Sequence, residues 1–136
     1  MEAIRVGIIG QGRSGRNIHA EFLKNVPEKF TIACVADVLE DRCARARAEY
    51  GCEAVTNYRE MLRRKDLGLI VNATPSHLHP GVTIEALEAG FNVLCEKPFA
   101  RRAADVDAIT AAARRAGRLV AVYQQSRFAP DRKSVV

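Results

Sequence analysis

Six short apolar runs alternate with segments of helical period along the chain. Ile4 to Ile9 is a run of Ile, Val and Gly interrupted only by Arg5, and Phe30 to Ala36 stops at Asp37. Glu53 to Val55 is brief, Leu67 to Ala73 is the clearest central strand, and Phe91 to Cys95 and Leu119 to Tyr123 complete the set. Between them, Ile18, Phe22, Leu23 and Val26 share one helical face before Pro27. Cys43, Ala46 and Tyr50 share another, with Arg42, Arg45 and Glu49 toward water and Gly51 as the stop. Tyr58, Met61 and Leu62 mark a short helix, and Val82, Ala86 and Leu87 a longer one ended by Gly90. Val106, Ile109 and Ala113 give the apolar face of a helix from about Ala103 to Ala116. This alternation predicts βαβ units and therefore an α/β fold, doubly wound, with a mainly parallel six-strand sheet covered by helices on both faces. Residues 1–124 hold that domain. From Gln124 onward the chain is polar and basic without periodicity, so 125–136 reads as a tail.

Composition supports one globular domain: of 136 residues, 48% are apolar, 27% charged and 6% aromatic, which excludes disorder. The net charge of +5 resembles a nucleic-acid signal until it is located. Residues 1–100 carry 13 Lys/Arg against 13 Asp/Glu, whereas 101–136 carry 8 against 3. The basic segment holds only Tyr123 and Phe128 as aromatics, and Arg114, Arg115 and Arg118 fall at a helix end, where cations complement the dipole. No nucleic-acid partner is expected; the alternative would run through Arg101, Arg102, Arg114, Arg115 and Arg118. The start, Met1-Glu2-Ala3-Ile4-Arg5, is too charged for a secretion signal or membrane span, so a cytoplasmic location and no membrane partner are expected. Cys34, Cys43, Cys52 and Cys95 form no CxxC pair and read as free, mostly buried thiols. His77 and His79, two apart, have no third ligand in view, so no metal site is expected.

The candidate chemistry begins where the first strand ends. Gly10-Gln11-Gly12-Arg13-Ser14-Gly15 lies between a strand and a helix, and an acid, Asp37, ends the next strand 22 residues after Gly15. That order is the dinucleotide fingerprint of a Rossmann fold. Gly10 permits a tight turn, Gly12 lets the backbone approach a pyrophosphate, and Gly15 lets helix and strand pack closely. The helix start supplies unpaired N–H donors. Arg13 either touches phosphate or is merely solvated. Asp37 can accept from both ribose hydroxyls and repel a 2′-phosphate, which favours NAD over NADP; the competing role is a helix N-cap.

Two further polar clusters end strands at the same edge. Asn72-Ala73-Thr74-Pro75-Ser76-His77-Leu78-His79 closes the fourth strand and Glu96-Lys97-Pro98 the fifth. A lysine near a nicotinamide ring can polarise a carbonyl and stabilise an alkoxide, which makes Lys97 the candidate catalytic residue; otherwise it is a surface lysine before a proline turn. His19 reads as a packing or capping histidine.

The ordered set Gly10-Gln11-Gly12-Arg13-Ser14-Gly15, His19, Asp37, Thr74-Pro75-Ser76 with His79, Glu96-Lys97-Pro98 and Arg127-Phe128-Ala129-Pro130 resembles the N-terminal domain of the glucose-fructose oxidoreductase, inositol dehydrogenase and rhizopine-catabolism (Gfo/Idh/MocA) family. The resemblance covers residues from about 4 to 130. It implies an NAD(P)-binding domain of an oxidoreductase acting on a sugar- or polyol-like hydroxyl or carbonyl, with the glycine loop on the pyrophosphate and Asp37 on the adenosine ribose. It further implies that Thr74, Pro75 and His79 lie along the cofactor, that Glu96 and Lys97 lie near the nicotinamide, and that the Lys97–Pro98 bond is cis. The chain departs at Ser76, where the family often has Asn. It also lacks the second domain that in the family holds the substrate, the remaining catalytic Asp and His, and the oligomer contacts, so either a truncated product or a fragment, incomplete for catalysis alone, is expected. The alternative is a non-catalytic nucleotide sensor or protein-interaction module.

Overall fold

A computed structural model describes residues 1–128 and turns each of the six apolar runs into a strand: β1 (Ile4–Ile9), β2 (Phe30–Ala36), β3 (Glu53–Val55), β4 (Leu69–Asn72), β5 (Asn92–Glu96) and β6 (Val120–Tyr123). The helices are α1 (Glu21–Lys24), α2 (Glu40–Tyr50), α3 (Tyr58–Met61), α4 (His79–Glu88) and α5 (Ala103–Ala116). A π-helix, Arg13–Ala20, feeds α1, and 3-10 turns occupy Ser76–Leu78 and Gln125–Phe128. Neighbouring strands all pair parallel in the order β3-β2-β1-β4-β5-β6. The chain winds outward from β1 to β3, then crosses back through α3 to lay β4 on the other side of β1. That reversal opens a crevice at the carboxyl ends of β1 and β4, where sheets of this kind receive ligands. The fold is the doubly wound Rossmann sheet that the alternation predicts.

Side chains alternate across the strands and build two cores. Val6, Ile8, Val35 and Val71 pack with Ala20, Leu23 and Ala46 on one face. Ile9, Cys34, Ile70 and Val93 pack with Met61, Val82, Leu87 and Ile109, carried by α3, α4 and α5, on the other. Each fully buried side chain of this size contributes about 1.5–3 kcal/mol. The four thiols are unpaired, and burial pushes those of Cys52 and Cys95 up to about 11. Among the described residues, no three His, Cys, Asp or Glu side chains come together as metal ligands, and no helix is long and apolar enough to cross a membrane.

Several positions differ from the periodic reading. The wider π-helical turn advances the register of the first helix, so the inward residues are Gly15, His19, Ala20 and Leu23, and Phe22 is 61% exposed. Val106 sits at the edge of its helical face, still partly exposed. Strand ends move by one or two residues: Leu67 and Ala73 fall outside β4, and β5 gains Glu96, which pairs with Tyr123. A 3-10 turn forms at Gln125–Phe128, where the sequence shows no periodicity; Ala129, Pro130 and the rest of the tail lie outside the described residues. In the basic segment, Arg102 pairs with Asp105 and Arg115 with Glu88, as on a solvated helical face.

One tie has a pH signature. Arg5 and Arg64 both donate to the Asp66 carboxylate, at 2.9 and 2.8 Å to Oδ2, joining the start of β1 to the loop before β4. The Arg64 guanidinium, aided by Arg5, pulls the Asp66 carboxyl down to about 2. Because the folded value lies below the unfolded one of about 3.9, the stabilisation is complete above that value and fades as pH falls toward 2. The pair is solvent-exposed, so the effect is under about 1 kcal/mol. The gap in thermal midpoint between the natural protein and Asp66→Asn is therefore expected to be open at pH 6 and to close on approaching pH 2. A gap constant over that range would show that the two guanidiniums contribute nothing.

Candidate functional site

At the end of β1 the Ile9 carbonyl accepts from Ala73 N, and Gly10 turns the chain at φ +102°, its N–H donating to Ala36 O at 2.7 Å. A Cβ on Gly10 would lie 2.4 Å from Ala73 O, and one on Gly15 would lie 1.8 Å from Gly10 O. Strand, neighbouring loop and helix thus meet at distances that only a hydrogen allows. Gly12 is different. A Cβ there would meet nothing nearer than the Arg42 side chain at 3.6 Å, so its surface is open. The π-helix starts immediately after it with no side-chain cap, leaving first-turn N–H groups without a side-chain acceptor beside that surface. Open backbone and uncapped donors together suit a diphosphate. Ser14 is half-buried in this first turn and Arg13 is exposed.

Asp37 lies at the carboxyl end of β2, buried. Its Oδ2 accepts from Gln11 N at 2.8 Å and from Arg42 Nη1 at 3.3 Å, and its Oδ1 accepts from Leu39 N at 2.9 Å. It does not cap α2: Leu39 occupies that position, without a side-chain bond. Arg42 and Arg45 do not simply face water. Arg42 reaches Asp37, and Arg45 donates to Gln11 O at 2.7 Å while its Nε is buried without a partner. Tyr50 adds a bond to Gln11 Oε1 at 3.2 Å, and burial pushes its hydroxyl up to about 12. Helix α2 therefore braces the glycine turn. In the sequence Arg42 reads as too far into its helix to reach a ribose phosphate and Arg45 only as a polar member of that helix, because the carboxylate and carbonyl they meet belong to other elements.

Beside Asp37 is a mainly apolar cleft of about 220 Å³, lined among others by Val38, Thr56, Tyr58, Thr74, Pro75 and Leu78. The Thr74–Pro75 wall is held from below by Asn72, fully buried. Its Oδ1 accepts from Thr74 N and Oγ1, and its Nδ2 donates to Thr83 Oγ1 at 2.9 Å. His79 does not line this cleft. Its ring is buried, with Nδ1 2.6 Å from Pro98 O and Nε2 2.8 Å from Thr74 O, so it ties the loop after β4 to the loop after β5.

At the end of β5, Glu96 is buried and Lys97 exposed, and the Lys97–Pro98 bond is cis. Glu96 Oε1 lies 2.8 Å from His19 Nε2, and Glu96 Oε2 accepts from Lys97 N at 3.1 Å. His19 is thus neither a helix cap nor a simple packing residue; the π-helical register turns it inward onto β5.

Comparison with known proteins identifies the family. The model of the oxidoreductase family with an NAD-binding Rossmann fold, GFO_IDH_MocA, matches residues 4–124. The chain belongs to the Gfo/Idh/MocA family. Among its Gfo/Idh/MocA relatives, myo-inositol 2-dehydrogenase of Thermotoga maritima is 33% identical over 105 residues, which are 76% of this chain and 31% of that protein. The WlbA dehydrogenase from Chromobacterium violaceum, solved in complex with NADH and UDP-GlcNAcA, superposes with a TM-score of 0.89 at 31% identity, covering 93% of this chain and 36% of that one. KijD10, a 3-ketoreductase from Actinomadura kijaniata solved with NADP and TDP-benzene, gives 0.88 at 28%, covering 98% and 41%. The chain spans about a third of the length of the curated relatives it matches, 36% for an uncharacterized oxidoreductase of Schizosaccharomyces pombe.

Within this Gfo/Idh/MocA domain, Gly10, Gln11, Gly12, Arg13, Ser14, Gly15 and Asp37 come together at the end of β1 and β2. Thr74 and Pro75 face Asp37 across the cleft. Glu96 and Lys97 close the neighbouring strand of the same sheet edge. Asn72, the first residue of the polar cluster that closes β4, and Arg42, Arg45 and Tyr50 of α2 join the site as supports.

Proposed function

We propose that this chain is the cofactor-binding part of an oxidoreductase that transfers hydride between a nicotinamide cofactor and a hydroxyl or carbonyl of a sugar- or polyol-like substrate. The observation that carries the reading is the open surface of Gly12, bordered by uncapped N–H groups and by Asp37. In this reading Gly10, Gln11, Gly12, Arg13, Ser14 and Gly15 hold the pyrophosphate, Asp37 accepts from the adenosine ribose, and Thr74 and Pro75 form a wall of the adenosine cleft. His79 contributes by holding both loops in place. NAD is favoured over NADP because a carboxylate at the ribose repels a 2′-phosphate. When bound, the cofactor supplies the carbon that gives or takes hydride. Lys97 supplies the ammonium that stabilises charge on the substrate oxygen and exchanges a proton with it at Nζ, and Glu96 orders the lysine's end of the strand.

The sugar-related names of family members support the substrate class. The substrate's own binding surface, and any homo-oligomer contact, would lie in a second domain. Four unpaired thiols suit a reducing, cytoplasmic compartment. A purely sensory module would share the glycine turn and Asp37 but has no chemical use for an exposed lysine after the fifth strand. Titration followed by NADH fluorescence tests the reading: saturable binding is expected, tighter for NADH than for NADPH, and no saturable binding at millimolar cofactor would overturn it.

A further inference from the structure

The π-helix that begins at the glycine turn carries His19 on its inward side, 77 residues before Glu96 in the chain. His19 and Glu96 are each 5% exposed. A carboxylate so buried is costly unless both oxygens are occupied, and here they are. One accepts from the His19 ring at 2.8 Å, the other from the main-chain N–H of Lys97 at 3.1 Å. The Tyr123 ring from β6 stands edge-on to the His19 ring, with centroids 4.7 Å apart and planes at 63°, and limits its rotation. Glu96 is therefore held from the first helix, and in turn it holds the peptide from which the lysine projects.

We infer that His19 is a positioning residue for Lys97, acting through Glu96. The inference rests on the reading of Lys97 as the residue at the nicotinamide end. One helical segment would then set both poles of the site. Its start, at Gly12, meets the diphosphate, and a residue seven positions later sets the direction of the lysine, so the span between phosphate and lysine is set within that one segment. A π-helix is uncommon and recurs at functional sites; here its wider turn rotates His19 inward and leaves Phe22 outside. Side chains that orient a reacting group without touching substrate act in this way, and small displacements at such positions cost much more than their own contact.

A purely structural pair would lower stability and leave the lysine unaffected, so the test reads the lysine directly. His19→Phe keeps an aromatic ring beside Tyr123 but removes the donor to Glu96; His19→Gln restores a donor. Amide hydrogen exchange at Lys97 is expected to speed up at least tenfold in His19→Phe and to return toward the natural rate in His19→Gln, with Val93 and Cys95 unchanged. NADH affinity relative to ADP-ribose, which lacks the nicotinamide, is expected to fall about fivefold in His19→Phe, and to fall no further when Lys97→Met is added. If His19→Phe does not fold, the same comparison is made in a Glu96→Gln background, where no charge is left unpaired. Equal acceleration at Val93, Cys95 and Lys97, or an unmoved NADH to ADP-ribose ratio in a protein that binds both, overturns the inference alone. Failure of the unmutated protein to bind ADP-ribose overturns the cofactor reading and the inference with it.

Discussion

Replacing Gly15 with alanine is expected to abolish saturable NADH binding and to lower the thermal midpoint by roughly 10 °C, corresponding to about 3 kcal/mol. The added Cβ would lie 1.8 Å from Gly10 O. That oxygen cannot easily retreat, because Gly10 N is bonded to Ala36 O and the adjacent Ile9 O accepts from Ala73 N. Relief would require the π-helix to lift off the end of β1 by more than an ångström, separating the helix N–H groups from the turn they share with Gly12. Gly12→Ala is the informative contrast. Its Cβ meets only a flexible arginine at 3.6 Å, and its backbone is extended, with a negative φ of −75°. Its midpoint is expected to stay within about 2 °C while NADH affinity drops at least tenfold, since the methyl group projects into the space left for phosphate. Calorimetry and fluorescence titration of the two variants measure both quantities. Natural NADH affinity in Gly15→Ala would mean that the close approach of helix and strand has no part in the site.

Asp37→Ser is expected to move the preference between NADH and NADPH by about 100-fold toward NADPH, or roughly 2.7 kcal/mol. Two effects add. The carboxylate that would repel a 2′-phosphate disappears, and Arg42, now 3.3 Å from Asp37 and 40% exposed on its side chain, is released to pair with that phosphate. Gln11 N and Leu39 N lose a charged acceptor, which costs stability on the order of 1–3 kcal/mol, partly recovered by the serine hydroxyl. Adding Arg42→Ala should cancel the gain for NADPH without restoring NADH. Were the ratio of the two affinities to stay put in Asp37→Ser, the ribose role of Asp37 would be untenable.

How much of this could be read before the structure depended on the reach of each interaction. The strands were legible because a run such as Ile4 to Ile9 declares itself locally, and the glycine turn because its neighbours in sequence are its neighbours in space. Asp37 stands out by its place at a strand end. An α-helical period places Phe22 inward after the glycine turn, whereas the turn is π-helical and leaves Phe22 exposed. The pair His19–Glu96 spans 77 residues, and Arg45 meets Gln11 across 34. Such partners become visible only once the order of strands is known, because that order decides which polar ends share an edge.

The parallel pairing of β1 with β4 sets how the molecule comes into being. It is the seam that spans the longest stretch of chain, Val6 with Leu69 and Ile9 with Asn72, while every other strand pair joins segments less than half as far apart. Loop-closure entropy grows with the length closed, so this junction carries the largest ordering cost of any in the sheet. Gly10 turns against Ala73 and Thr74 at that junction. The glycine turn and Asp37 belong to the half from β1 to β3, and the crevice gains its second wall, Thr74 and Pro75, only when the half from β4 to β6 docks.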